Sequence, residues 1–260
     1  MSERTILFHL LNIRAGLDEE AICMGNASNN ILGTRASSLE ADVIWRTTSP
    51  SSASRRPSLR GRVSVRGALV DRMNGRELVF ESRLERGLAE MLMARRDIRA
   101  IIDQPPAVKY TTADGRTRSH TFDFLAITTN GIRLAIAVKP AATVERSGIQ
   151  ETLDRIREQV GPRFADAYLL RTNQHITPDR IYNAGLILRS RRCRNESDID
   201  TVWAIVGNLA GSFRAADVVM HSKLGARGFS ALVCLVDDAR LEPVAGRIGY
   251  LTSLRRVSGQ

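Results

Sequence analysis

Two side chains of opposite charge, Asp123 and Lys139, stand at the ends of a predicted β-hairpin. Asn130-Gly131, between them, is a strong signal for a tight hairpin turn because both residues tolerate a positive φ. In an antiparallel hairpin the start of the first strand lies beside the end of the second, which brings the carboxylate and the ammonium to one rim of a sheet. A metal-dependent phosphodiesterase needs an acid that holds a divalent cation and a lysine near the water or the phosphate. The same two charges are also compatible with solvated strand ends, which are common on protein surfaces.

A helix is predicted before this hairpin, over Val79 to Arg96. It carries an apolar stripe at helical spacing, formed by Leu84, Leu88, Met91 and Leu92. The glutamates of this segment lie off the stripe, and Glu85 stands at the border of the buried face. A solvated helix glutamate is the usual explanation for such a residue.

The order of predicted elements around the hairpin is helix, strand, strand, strand, helix, strand. Besides the first helix and the hairpin, it contains a strand at Ala107 to Tyr110, a polar helix at Val144 to Val160 and a buried strand at Phe164 to Leu170. This order is typical of a mixed α/β domain with a small central sheet flanked by helices. We assign residues 63–175 to this domain.

The last part of the chain, residues 176–260, has a different pattern. Short helices and two strands are predicted at Thr177 to Ala184, Asp198 to Leu209, Phe213 to Leu224, Ala231 to Val236 and Gly246 to Thr252. Helices followed by a β-wing are the outline of a winged helix, a fold that often binds DNA or a protein partner. Short elements of this kind also assemble in other ways.

Residues 1–62 form an N-terminal region that ends in a basic segment. Thr47 to Arg62 lacks apolar periodicity and is rich in Ser, Pro and Arg, which predicts a flexible linker. Such a linker either follows a phosphate backbone or is simply solvated. The residues that would bind DNA are Arg55, Arg56, Arg60 and Arg62.

The charge balance favours nucleic acid as a partner. Lysine and arginine number 38 against 28 acidic residues, which gives a net charge of +10 and a pI near 10.4. Arginine dominates the excess, and its planar guanidinium matches the geometry of a phosphate group. A GC-rich genome would also raise the arginine content without any ligand.

The remaining composition excludes several classes of protein. The content of 43% hydrophobic and 25% charged residues is typical of a soluble globular protein. No apolar run approaches the roughly 18 residues of a membrane span, and the first residues do not form a secretory signal. The three cysteines and four histidines are scattered, which argues against a disulfide framework or a zinc site and favours the cytoplasm.

Three segments together resemble the PD-(D/E)xK restriction-endonuclease-like fold, and more narrowly the TnsA family, the endonuclease subunit of heteromeric, Tn-seven-type transposases. Ser82-Arg83-Leu84-Glu85 leads a helix that runs towards Asp103-Gln104-Pro105. Thr121-Phe122-Asp123-Phe124-Leu125 resembles the family's Asp-Phe-Leu strand, and Val138-Lys139-Pro140 resembles the end of the next strand. The resemblance spans about residues 77 to 185, and the C-terminal part is similar to the family's winged-helix-like domain only in outline.

The resemblance implies a Mg²⁺-dependent DNA endonuclease, with Mn²⁺ as a substitute ion, that nicks the 5′ ends of a transposon during cut-and-paste transposition. By the same resemblance, Glu85 would help to bind the metal or orient water, Asp123 would be the principal Mg²⁺ ligand, and Lys139 would polarise or deprotonate the attacking water. The implied partners are double-stranded DNA at transposon ends, a DDE-type transposase subunit and an AAA+ ATPase regulator. The implied location is the nucleoid of the cytoplasm, without contact to a membrane.

One position departs from the family pattern. The residue two before Lys139 should be an acid, or a glutamine in the TnsA-like branch, and here it is Ala137, whose only oxygen is the backbone carbonyl. Three explanations remain: a metal held by Glu85, Asp123, that carbonyl and water; a non-catalytic protein that keeps the nuclease fold for DNA binding and assembly; or an engineered substitution. A defence or recombination nuclease unrelated to transposition is a further alternative.

Overall fold

The computed structural model describes residues 47–54 and 65–257. The first part of the chain contains β1 (Gly67–Asp71), β2 (Arg76–Phe80), α1 (Arg83–Ala94), β3 (Ile98–Asp103), β4 (Val108–Thr111), β5 (Thr117–His120), β6 (Phe124–Thr128) and β7 (Arg133–Val138). It continues with α2 (Ala141–Ser147), α3 (Ile149–Gln159), a 3₁₀ turn (Gly161–Arg163) and β8 (Ala167–Arg171). The C-terminal part contains α4 (Pro178–Arg192), α5 (Glu196–Gly207), β9 (Ser212–Arg214), α6 (Ala215–Ser222), α7 (Ala226–Asp237), β10 (Leu241–Pro243) and β11 (Ser253–Arg256).

Four strands form the central sheet, in the order β3-β6-β7-β8. The first three are antiparallel neighbours, whereas β7 and β8 are parallel and are joined by a crossover through α2 and α3. This mixed sheet with helices packed against it confirms the predicted α/β class. The predicted hairpin is confirmed as β6–β7, and Gly131 has a φ of +85° in the turn, a conformation that favours glycine.

The two faces of the central sheet contact different helices. On one face, Phe124 and Ile136 pack in an apolar cluster with residues of α1. On the other face, Ala135 and Ala137 pack in a second cluster with residues of α3. Because successive strand residues point to opposite faces, the odd-numbered and even-numbered residues of β7 belong to different cores.

The first helix is shorter than predicted. The apolar stripe predicts a helix from Val79, but Val79 lies in β2, where it pairs with Ala68 of β1. Ser82 then caps α1 by accepting the N–H of Glu85. The predicted start was wrong because the strand before the cap depends on pairing with a neighbouring strand.

The C-terminal part contains α5, α6, α7 and a three-stranded antiparallel sheet in the order β10-β11-β9. The predicted strand at Ala231 to Val236 is wrong, because these six residues are the buried part of α7. Helices α4, α5 and α6 contact α7 from several sides, and a helix that is apolar all round cannot be told from a buried strand by periodicity. The predicted strand at Gly246 to Thr252 is also wrong, because the whole segment lies in the loop between β10 and β11.

Residues 47–54, predicted as the start of a linker, are hydrogen-bonded to the domain. The N–H of Ser49 donates to the carbonyl of Gly75 at 2.8 Å, and the hydroxyl of Ser51 donates to the buried carboxylate of Asp103 at 2.6 Å. The composition predicted a flexible linker, whereas here the hydroxyl of Ser51 satisfies a buried acid. The rest of the predicted linker and residues 1–46 lie outside the described residues, and so do Arg55, Arg56, Arg60 and Arg62.

Candidate active site

Asp123 lies at the rim of the central sheet, immediately before β6. Its backbone N–H donates to the carbonyl of Ile136 at 3.0 Å, and its carbonyl accepts the N–H of Gln104 at 2.9 Å. Its carboxylate Oδ2 accepts the N–H of Val138 at 2.6 Å. The end of β7 therefore holds both the backbone and the carboxylate of Asp123.

The surroundings of Asp123 favour its protonated form. Burial, followed by the negative charge of Glu85, raises the pKa of Asp123 to about 7. The N–H of Val138 and the positive charge of Lys139 oppose this rise, and the negative charge of Glu81 adds to it. The structure thus brings Glu85 and Lys139 within electrostatic reach of Asp123. It also brings in Glu81, which sequence reasoning did not select.

Glu85 is buried at the start of α1, with 9% of its surface exposed. The Ser82 hydroxyl accepts the N–H of Glu85 at 3.1 Å and donates to its Oε1 at 2.8 Å. The N–H of Glu81 donates to Oε2 of Glu85 at 2.7 Å. This reciprocal arrangement is a form of capping box, and the Ser-x-x-Glu spacing is its sequence signal. A carboxylate oxygen can accept more than one hydrogen bond or ligand contact, so Glu85 can cap α1 and still bind a cation.

Lys139 follows β7 directly. Its backbone N–H donates to the carbonyl of Arg171, the last residue of β8, at 3.0 Å, and its side chain is half-buried. Ala137, two residues earlier, is 1% exposed and packs in the apolar cluster between the sheet and α3. The position that carries an oxygen ligand in the family pattern therefore contributes only a methyl group to the core of this protein.

His120, the last residue of β5, is a further member of this rim that sequence reasoning missed. Its ring meets Phe122 edge to face, with centroids 4.8 Å apart, and its Nε2 is buried and has no hydrogen-bond partner among the residues that the structure describes. Burial, followed by the positive charge of Lys139, lowers the pKa of His120, so the imidazole is neutral at pH 7. The only feature of the sequence that could have pointed to His120 was its position three residues before Asp123.

Glu85 and Asp123 are the two carboxylates that we consider as cation ligands at this rim, and Glu81 lies within electrostatic reach of Asp123. Across residues 47–54 and 65–257, no group of three or more His, Cys, Asp and Glu side chains is arranged to hold a metal ion. Glu85 and Asp123 nevertheless fit Mg²⁺, which binds proteins through one or two carboxylates and keeps several waters. The mutual repulsion that helps to raise the pKa of Asp123 is the kind that a divalent cation relieves.

Comparisons with known proteins do not assign this chain to a family. No model of a protein family matches it, and no curated protein is a significant match. None of the helices in the described part of the chain is long and apolar enough to cross a membrane. The function therefore has to be argued from the rim that Glu85, Asp123 and Lys139 share.

Proposed function

We propose that the chain is a Mg²⁺-dependent DNA endonuclease. The observation that carries the proposal is the buried carboxyl group of Asp123, which has a pKa raised to about 7 and lies near Glu85 and Lys139. Strongly perturbed carboxyl groups with specific charged neighbours are concentrated at catalytic sites. The net charge of +10 supports a polyanionic substrate.

Each residue of the rim has a role in this proposal. Glu85 and Asp123 would hold Mg²⁺, with Mn²⁺ as a substitute. When bound, the ion would activate a water molecule and stabilise charge on the phosphate. The ammonium group of Lys139 would offset the negative charge of the phosphate and polarise the attacking water, whereas a neutral amine at this position would be the form that accepts a proton from that water.

The finer fold assignment is part of the same proposal. The helix α1, the strand β3 and the β6–β7 hairpin support a restriction-endonuclease-like domain at residues 63–175. The order α5, β9, α6, α7, β10, β11 with one antiparallel sheet supports a winged-helix-like domain at residues 176–260. Because α7 is buried along most of its length, contacts of this domain with DNA or a partner would come from its other elements.

The biological setting follows from the resemblance stated above. We infer that the protein nicks the 5′ ends of a transposon beside a DDE-type transposase subunit and an AAA+ ATPase regulator, at the nucleoid in the cytoplasm. A nuclease of defence or recombination would use the same rim. A gene neighbourhood with a transposase and an ATPase distinguishes the two.

Ala137 favours a second candidate function, a non-catalytic DNA-binding or assembly protein on a nuclease fold. Its buried methyl group supplies no oxygen at the position where the family pattern has one. Both functions predict salt-dependent DNA binding, so binding does not distinguish them.

Nicking of a supercoiled plasmid that carries the transposon ends, in Mg²⁺ and in Mn²⁺ with the partner subunits present, tests the proposal. We expect Ala137→Gln to nick at least tenfold faster than the wild type and Asp123→Asn to be inactive. Asp200→Asn, at an exposed acid of α5, is the matched control and should equal the wild type. Because position 137 is packed, the larger side chain is expected to cost about 1–3 kcal/mol, and circular dichroism checks that the variant is folded.

The outcomes separate the two functions. Cleavage by the wild type contradicts the non-catalytic function. No cleavage by the wild type, by Ala137→Gln or by Ala137→Glu, with all partners present, contradicts the endonuclease.

A further inference from the structure

Arg171, the last residue of β8, carries a buried guanidinium group that has no counterion among residues 47–54 and 65–257. The residue is 9% exposed. Its Nη1 donates to the carbonyl of Leu170 at 3.1 Å, and its Nη2 is buried with no hydrogen-bond partner in the described part of the chain. Within the described residues, no carboxylate forms an ion pair with it. A buried cation without an anionic partner is strongly unfavourable, so this group is expected to have a ligand.

The charges near Arg171 are also positive. Burial, followed by the charges of Arg95 and Arg180, lowers the pKa of Arg171 to about 10, so the group is still a cation at pH 7. Burial and the charges of Arg171 and Arg180 likewise lower the pKa of His175. Arg180 is held in place because its Nη1 donates to the carbonyl of His175 at 3.1 Å. The side chains of Arg171, His175 and Arg180 therefore gather around the loop between β8 and α4.

The same loop leads into the start of α4, a helix of 15 residues. Thr177 caps this helix by accepting the N–H of Arg180 at 3.3 Å. The backbone N–H of Thr172 donates to Nδ1 of His175 at 3.2 Å, and the hydroxyl of Thr172 forms a hydrogen bond with the same nitrogen at 3.1 Å. The positive end of the helix dipole adds to the charge of the arginines and attracts an anion, and Asp179 in the first turn of α4 offsets part of this charge.

The loop is fixed to the segment that follows β7. The N–H of Lys139 donates to the carbonyl of Arg171 at 3.0 Å, and the N–H of Ala141 donates to Oδ1 of Asn173 at 2.8 Å. An anion bound on the loop would therefore have a constant position relative to the rim that holds Lys139. A nucleic acid carries many phosphates, so it is a class of anion that suits a protein with two basic places on neighbouring segments.

We propose that Arg171, His175 and Arg180 form an anion site that binds a backbone phosphate of the DNA strand whose nearby phosphodiester lies at Asp123 and Lys139. The anion site stands on the geometry of the loop, whereas its assignment to DNA rests on the proposed nuclease function. Arginine suits this role because its planar fork can contact two phosphate oxygens at once.

The first experiment tests the anion site alone, with the full chain, inorganic phosphate and no metal ion. Thermal unfolding is compared in sodium phosphate and in sodium chloride of equal ionic strength. Phosphate at a hundredfold excess over its Kd is expected to raise the Tm of the wild type by roughly 5 °C or more. Arg171→Met, which keeps a long apolar stem, should lose this shift, and Arg72→Met, at an exposed arginine of the β1–β2 turn, should keep it.

Arg180→Met is the second variant and should weaken phosphate binding about tenfold, which keeps the test valid if Arg171→Met does not fold. An equal Tm of the wild type in the two salts would overturn the anion site. The same phosphate shift in the wild type, Arg171→Met and Arg180→Met would also overturn it.

The second experiment tests the assignment to DNA. Binding of a double-stranded oligonucleotide is measured by fluorescence anisotropy over a range of salt concentrations without metal. Arg171→Met is expected to bind about tenfold more weakly and to reduce the salt slope by about one, whereas Arg171→Lys should keep the slope. A phosphate shift together with an unchanged DNA affinity and slope in Arg171→Met would overturn the DNA assignment in favour of a free phosphate compound. If phosphate and DNA both bind as expected but the plasmid is not nicked, the result would contradict the nuclease function and support the anion site.

Discussion

Replacing Asp123 by asparagine is expected to stabilise the protein at pH 8 and to remove a pH dependence of its stability. Asparagine keeps an oxygen that can accept the N–H of Val138, now 2.6 Å from the carboxylate, but it cannot ionise. In the wild type the folded protein binds the Asp123 proton up to about pH 7, far above the ordinary value of 3.8. The unfolded chain releases the same proton at a much lower pH.

The sign and size of the effect follow from this difference. Because the folded-state pKa is raised, the contribution of Asp123 to the free energy of unfolding is complete below about pH 4 and is lost as the pH rises to about 7. One pKa unit corresponds to about 1.4 kcal/mol, so a rise from 3.8 to about 7 corresponds to roughly 4 kcal/mol. Asp123→Asn should therefore match the wild type near pH 4 and exceed its stability at pH 8 by up to about 4 kcal/mol, or on the order of 10 °C in Tm.

Urea unfolding followed by circular dichroism, at several pH values between 4 and 8 in EDTA, measures this difference. The lowered pKa values of His120 and His175 make the free energy of unfolding rise with pH, opposite to the effect of Asp123. Both histidines are present in the two proteins, so their contributions cancel in the difference. Asp200→Asn is the control at an exposed acid and should follow the wild-type curve. A second series in Mg²⁺ should raise the stability of the wild type at pH 8 and leave Asp123→Asn unchanged.

Two results would refute this reasoning. Parallel curves of stability against pH for the wild type and Asp123→Asn would mean that the carboxyl group titrates normally and is not desolvated. A variant that is less stable than the wild type at pH 8 would mean that the ionised carboxylate stabilises the fold.

The Mg²⁺ series tests a separate point. An equal effect of Mg²⁺ on both proteins would contradict the assignment of Asp123 as a metal ligand.

Further predictions concern α1 and the rim. Gly87→Ala should lower the free energy of unfolding by about 1–3 kcal/mol, because the new Cβ would lie 2.6 Å from an isoleucine side chain of α4. Gly207→Ala, where nothing lies within 4 Å, is its control and should be neutral or stabilising. Ser82→Ala should cost about 1 kcal/mol in urea unfolding through the loss of the helix cap, and no loss would contradict the capping box. NMR titration should place the pKa of His120 below 6.5, and Lys139→Met should raise it by removing a nearby positive charge; an unchanged value would show that the two side chains are not neighbours.

Local signals in the sequence were sufficient for the β6–β7 hairpin and for most of α1, whereas β1, β2 and β3 were not predicted as strands. Asn130-Gly131 predicts the β6–β7 turn because the positive φ that this turn needs is adopted by Gly131 itself, independent of the rest of the chain. The hairpin in turn predicts that Asp123 and Lys139 share a rim, since pairing of two adjacent strands brings their outer ends together. The stripe of α1 was readable for the same reason, because helical periodicity is a local property.

The tertiary structure decided which residues are buried and what they contact. Ala231 to Val236 is apolar on all sides because α7 is surrounded by other elements, and an apolar run without a period does not distinguish a helix from a strand. The raised pKa of Asp123, the unpaired Nε2 of His120 and the buried cation of Arg171 likewise arise from packing between distant segments. Burial and electrostatic coupling depend on which surfaces exclude water, and only the assembled fold determines that, so the sequence alone places the charged rim on the sheet without showing the environment that would make it reactive.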